Sequence, residues 1–218
     1  MMKILSYDLA RYDFPAAVRE MLGVDDLSTL TIGTAANPEH SIYKNMEQTP
    51  LYTRLAEALR GEGSARFRRT YRDFVAGEVQ PRYSEPILYQ ACPTLRIIFA
   101  DAEGVSRFHR DRDYGHDARE VNYTVALSDA FETNAIWIES KEGAEDYAPI
   151  TLRPGEYARF DGASLSHGAV ANRTGRSRVS FDFRITPASQ RGTQAIVDAS
   201  EAGPPDPHAF ARVDAVDA

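Results

Sequence analysis

The 218-residue chain has one cysteine, Cys92, and one tryptophan, Trp137. A lone thiol excludes an internal disulfide and a thiolate-bound metal cluster, and suits a reducing, cytoplasmic setting. Cys92 stands before Pro93 and is expected to be a small buried apolar residue. No apolar run reaches the roughly 18 residues that a membrane span needs. The start, MMKILSYDLARYDF, lacks the apolar stretch of about 7–15 residues that marks a signal peptide. Positive charge is not in excess either. The net charge of −7 disfavours nucleic-acid and anionic-membrane partners, which bind surplus Lys and Arg. The basic cluster RFRRTYR at 66–72 fits a solvated helix face, because Phe67, Tyr71, Phe74 and Val75 fall at helical spacing.

With 43% apolar and 26% charged residues, the composition is that of a globular protein. No internal repeat or low-complexity linker divides the chain, so 1–218 is expected to be one domain, as a monomer or homodimer.

Two textures are visible within it. Residues 1–90 read as largely helical. Pro15 opens a first helix with Val18, Met21 and Leu22 on one face and Gly23 as its stop; Thr49 and Pro50 open a second that ends at Gly61; a third covers about 65–76. From residue 94 to 187 short β-like runs follow, divided by turn clusters: TLRIIFADA, EVNYTVAL, NAIWIES, PITLR, EYARF, HGAVAN and SRVSFDFRI. Such spacing predicts a β-sandwich or barrel. The tail, 188–218, is small, polar and proline-bearing, and partial disorder is expected there, with His208 in it.

The densest chemistry lies in RFHRDRDYGH, residues 107–116. In an extended segment positions i and i+2 share a side, so His109 and Asp111 can reach one point while Arg110 points away. Asp113 lies about 7 Å further along such a strand, and Tyr114–Gly115 signals a turn that leaves Asp113 and His116 as bracing or loop groups. About 55 residues on, His167 opens another β-run, and about 10 residues later comes Arg178-Val179-Ser180. Two imidazoles and one carboxylate form the facial triad of non-haem Fe(II) oxygenases. An arginine beyond them, with a serine on its own face, can grip a carboxylate.

At these motifs the segment from about 95 to 186 resembles the double-stranded β-helix (jelly-roll, cupin-like) core of Fe(II)- and 2-oxoglutarate-dependent oxygenases. HRDRDYGHDAREVNYTVALSDAFETNAIWIES and SHGAVANRTGRSRVSFDFRITP are similar to the streptomycin-biosynthesis-type branch. The resemblance implies Fe(II) on His109, Asp111 and His167, and 2-oxoglutarate on Arg178 and Ser180. It further implies O2 as co-reactant and a small-molecule substrate, with hydroxylation or desaturation of a C–H bond in a small polar metabolite such as an amino acid, amino sugar or natural-product intermediate. An aspartate at 111 speaks against the halide-binding variant of the family.

Alternation supplies further candidates. Asn122 shares a face with Glu120 and Thr124, and either lines the 2-oxoglutarate site or meets water. Trp137 and Glu139 share a face; they are substrate contacts or, for Trp137, core packing. Arg184 is a candidate substrate contact, with an Asp182–Arg184 ion pair as the plainer account. Tyr43 and Lys44, near His40, become substrate contacts if their loop folds over the iron. Two rival readings remain: a cupin-like metalloenzyme without 2-oxoglutarate, which has no use for Arg178-x-Ser180, and a non-enzymatic ligand-binding β-barrel.

Overall fold

The computed structural model describes residues 2–31, 61–102, 107–190, 192, 196–198 and 209–215. The proposed second helix, the loop holding His40, Tyr43 and Lys44, and His208 lie outside the described residues. The described chain is mainly β, with two α-helices. Among the described residues no helix is long and apolar enough to cross a membrane.

Helix α1, Phe14–Leu22, begins where Asp13 Oδ1 accepts a hydrogen bond from Ala16 N at 3.0 Å, with Pro15 in the first turn. It stops at Gly23, whose φ of +65° is the left-handed conformation that closes a helix. Helix α2, Ala65–Phe74, buries Phe67, Tyr71 and Phe74, as their spacing predicts.

The larger sheet has seven strands, all antiparallel. They are β1 (Lys3–Ser6), β2 (Ile87–Gln90), β3 (Thr94–Ile98), β4 (Val121–Ala126), β7 (Glu156–Phe160), β9 (Arg178–Pro187) and β10 (Phe210–Val213). Their order is β1-β7-β4-β9-β2-β10, with β3 also paired to β9. The smaller sheet orders β6 (Ala148–Pro149), β5 (Trp137–Ile138) and β8 (His167–Gly168).

Three of these strands escape the sequence pattern. β1 and β2 lie in the part expected to be largely helical, and β10 lies in the tail. ILYQ is buried along its whole length, so it shows no alternation. FARV pairs Phe210–Val213 against Ile87–Gln90, giving an ordered strand within the small, polar tail.

Both faces of the large sheet are covered, each by a different chemistry. Val179, Phe181, Phe183 and Ile185 of β9 turn outward onto an aromatic layer shared with both helices. Phe181 stacks edge-on to Phe14, Phe67 and Tyr71, with ring centroids 4.8, 5.4 and 5.9 Å apart. Phe181→Ala is therefore expected to lower folding stability by about 3–5 kcal/mol in denaturant titration. A loss under about 1 kcal/mol would mean this layer does not hold the helices.

The opposite face of β9 carries Arg178, Ser180, Asp182 and Arg184. Beside them Ala126, Ala158 and Phe160 of the large sheet pack with Ile138 of the small one. The two sheets thus meet over a small apolar core, and the polar residues line the space beside it.

Candidate metal centre

His109 and His167 are direct antiparallel partners. His109 N donates to His167 O at 3.0 Å, and His167 N donates back to His109 O at 2.9 Å. This pairing sets the imidazole centroids 4.6 Å apart. The chain stays extended through Arg110 (φ −106°, ψ 139°), then enters a 3-10 turn, Asp111–Tyr114, closed by Gly115 in the left-handed region. Asp111 N donates to Gly162 O at 2.9 Å, which fixes where the carboxylate starts.

Each imidazole has its Nδ1 against a carbonyl: His109 on Arg107 O at 2.7 Å, His167 on Leu165 O at 3.0 Å. A carbonyl only accepts, so Nδ1 carries a proton and Nε2 is the atom that takes a metal; without one, a second proton on His109 Nε2 makes the hydrogen bond to Asp111. Both Nε2 atoms face Asp111 Oδ1, at 3.4 Å from His109 and 3.6 Å from His167. All three ligand atoms lie within 4.8 Å of one another. Ligands about 2.1 Å from a common ion in adjacent octahedral positions would be about 3 Å apart, so the two Asp111–histidine separations need only a small contraction. Two neutral imidazoles and a carboxylate on one side suit Fe(II) and leave coordination positions open.

The second Asp111 oxygen is tightly held. Oδ2 accepts from Asn122 Nδ2 at 2.6 Å and from Arg184 Nε and Nη2, each at 2.9 Å. Burial opposes the charge on Asp111. The His109 hydrogen bond, the Arg184 guanidinium, His167 and the Asn122 amide outweigh burial and hold the carboxyl well below the usual carboxylate range. His167 moves the other way from its neighbour: desolvation lowers its pKa, whereas the Asp111 hydrogen bond raises that of His109.

Arg178 lines the same cleft, 3% exposed, with Nη1 donating to Ser180 Oγ at 2.7 Å. Its Nε is buried without a hydrogen-bond partner among the described residues. Burial pushes its pKa down to about 10, so it remains a cation at neutral pH. The expected Asp182–Arg184 pair is replaced by two others: Arg96 Nε to Asp182 Oδ2 at 3.2 Å across strands, and Arg184 to Asp111 on the turn.

The remaining candidates fall in distinct places. Asn122 reaches the ligand carboxylate, and its Oδ1 is buried without a partner among the described residues. Ile136 lines the cleft and Ile138 packs in the inner core. Alternation therefore turns Trp137 and Glu139 to the outer side of the small sheet, away from the metal ligands. There the Trp137 indole donates to Glu132 O at 3.0 Å, and Glu139 is buried against backbone amides. Asp113 Oδ2 accepts from Arg110 N at 3.3 Å and closes the turn. His116 Nδ1 lies 3.1 Å from Glu120 Oε2, which sits 3.7 Å from Arg184 Nε, so His116 braces the ligand through two intermediates.

Sequence reasoning missed Thr94, Arg96, Phe160, Gly162 and Gly168, all at or beside the cleft. Alternation in TLRII does put Thr94 and Arg96 on one face, so those two were findable. The glycines act by what they lack. A Cβ on Gly168 would sit 2.9 Å from Phe108 N and Cα, in the backbone leading into His109. One on Gly162 would sit 2.6 Å from the Asn122 amide. Gly168→Ala is expected to pry the two histidine segments apart and weaken Ni(II) binding about 10- to 100-fold in calorimetric titration. Unchanged affinity would show that the bridge tolerates the shift.

No family model matches the chain. It is 35% identical over 185 residues to the streptomycin biosynthesis protein StrG of Streptomyces griseus, covering 85% of this chain and 84% of the relative. The apo form of the non-haem monooxygenase ThoJ superposes with a TM-score of 0.50 at 16% identity, covering 97% of this chain and 85% of ThoJ. HygX of Streptomyces hygroscopicus, solved with nickel and 2-oxoglutarate bound, gives a TM-score of 0.48 at 14% identity, with 94% and 89% covered. The ThoJ likeness concerns the fold.

Proposed function

The chain belongs to the family of the streptomycin biosynthesis protein StrG, and from that kinship and the cleft's chemistry we propose that it is an Fe(II)- and 2-oxoglutarate-dependent oxygenase. The two sheets are then the two halves of a double-stranded β-helix, with the cleft between them. His109, Asp111 and His167 would hold the iron. Bound there with 2-oxoglutarate and O2, the iron supplies oxidative decarboxylation to succinate and CO2, coupled to oxidation of a substrate C–H bond.

The protein's own share is orientation and charge. Carbonyls on the two Nδ1–H groups leave each Nε2 as the ring atom turned to the metal position and fix both rings. Arg184 and Asn122 occupy Asp111 Oδ2, which directs Oδ1 toward the imidazoles. Arg178 and Ser180 would receive the distal carboxylate of 2-oxoglutarate. Small polar metabolites are the substrate class we favour, with hydroxylation or desaturation as the outcome.

One observation carries the choice of cosubstrate: Arg178 is a buried guanidinium with a partnerless Nε in the same cleft as the metal ligands. A buried cation costs several kcal/mol unless paired, and an incoming carboxylate supplies the pair. A metalloenzyme without 2-oxoglutarate leaves that cost unexplained. The test is to load protein anaerobically with Fe(II) and 2-oxoglutarate, then admit O2 and quantify succinate with and without pools of amino acids and amino sugars. Iron- and 2-oxoglutarate-dependent succinate is expected. Neither binding nor turnover under these conditions would overturn the proposal.

A further inference from the structure

Arg110 stands between two metal ligands, yet strand geometry sends its side chain to the other side of the segment. There Nε donates to Ser164 O at 3.0 Å, and Nη2 lies 3.6 Å from Glu139 Oε1. That same Oε1 accepts from Ser166 N at 2.7 Å, while Glu139 N donates to Ser166 O at 3.1 Å. Glu139 Oε2 accepts from Glu145 N at 3.3 Å. One carboxylate, with its side chain wholly buried, thus grips the residue before His167 and faces the residue between His109 and Asp111.

Resting on the metal reading of the cleft, we infer that Glu139 and Arg110 are positioning residues, an outer clamp that fixes the two ligand-bearing segments relative to each other. The mutual bridge of His109 and His167 sets their pairing but spans one residue on each side. Arg110 and Glu139 lengthen that junction from behind, reaching Ser164 and Ser166 on the His167 side. The choice of residue types supports a positional role. An ion pair with one partner wholly buried and the other, Arg110, half-buried adds little net stability compared with apolar residues of the same volume, so its use here is geometric. Neither side chain enters the cleft, so neither touches substrate or metal.

The experiment compares wild type with Glu139→Gln, Arg110→Met and the double variant. It reads Ni(II) dissociation constants by calorimetry, Co(II) visible spectra, and the melting temperature of metal-free protein. Each single variant is expected to weaken Ni(II) binding about 10- to 100-fold, the range for groups that orient a ligand, and to alter the Co(II) band pattern. The double variant should lose little more than the worse single, because both cut one clamp. Arg110→Lys, which keeps charge without the guanidinium fork, should recover part of the affinity. Glu139→Asp replaces Glu139→Gln if the latter fails to fold. A lowered melting temperature with wild-type Ni(II) affinity and Co(II) spectrum would overturn the inference and leave the pair purely stabilising. If wild type itself took up neither metal, the metal reading would fall first and the inference with it.

Discussion

His167→Ala is expected to abolish metal binding and all turnover while leaving the protein folded. His167 supplies one of three donors, and its Nε2 has no substitute: the triad is the one group of three suitable side chains among the described residues. Removing a group that merely orients a ligand costs about 10- to 100-fold in affinity, so removing a ligand should cost at least about 100-fold. Folding should be spared because backbone groups make the bridge between residues 109 and 167, and alanine keeps them. Thermal unfolding with and without Ni(II) checks both halves. Wild type at about 100 times its dissociation constant gains about 2.7 kcal/mol from the ion, and the variant should gain nothing. A variant that kept the metal-dependent stabilisation would remove His167 from the site.

Much of this site was legible in the primary structure, because its parts obey strand geometry. His109 and Asp111 sit at i and i+2 with Arg110 turned away, and the folded chain has that arrangement. Six of the seven β-runs from residue 94 onward overlap an observed strand by two residues or more, and the seventh, PITLR, meets β6 only at Pro149. What stayed illegible had physical causes. Alternation tells that Trp137 and Glu139 share a face but not which face meets the cleft; the partner of β5 decides that, and it places Ile136 and Ile138 inside. It likewise put Arg184 beside Asp182 on one strand, whereas cross-strand neighbours Asn122 and Arg96 sort the charges into Arg184–Asp111 and Arg96–Asp182. Strand β2 hid because a run buried on both sides has no period. The glycines at 162 and 168 hid because close approach between distant segments leaves no local mark.

Arg178→Met should raise the 2-oxoglutarate requirement steeply while leaving metal affinity unchanged, and it should not weaken the cosubstrate-free protein. Truncating one partner of a buried, hydrogen-bonded charge pair costs about 2–5 kcal/mol, which corresponds to between about 30-fold and several thousand-fold in the 2-oxoglutarate dissociation constant. Metal binding is separate because Arg178 contacts none of the three ligands; its hydrogen bond goes to Ser180. The stability half follows from the same burial. With 3% exposure and a partnerless Nε, the guanidinium is desolvated without full compensation until a carboxylate arrives. Burial pushes its pKa down to about 10, which corresponds to about 3 kcal/mol of differential cost, the size of a typical buried methionine's hydrophobic gain. Methionine keeps most of the stem's packing and removes the charge, so the melting temperature without 2-oxoglutarate should hold or rise, and the rise that 2-oxoglutarate gives wild type should vanish. Titration of the anaerobic Fe(II) protein with 2-oxoglutarate, followed by its visible absorption, measures the affinity, and Ni(II) calorimetry measures the metal. An unchanged 2-oxoglutarate dissociation constant would reject the clamp. A melting temperature that fell with no change in that constant would make Arg178 a structural cation, and the cupin-like reading without 2-oxoglutarate would then account better for the cleft.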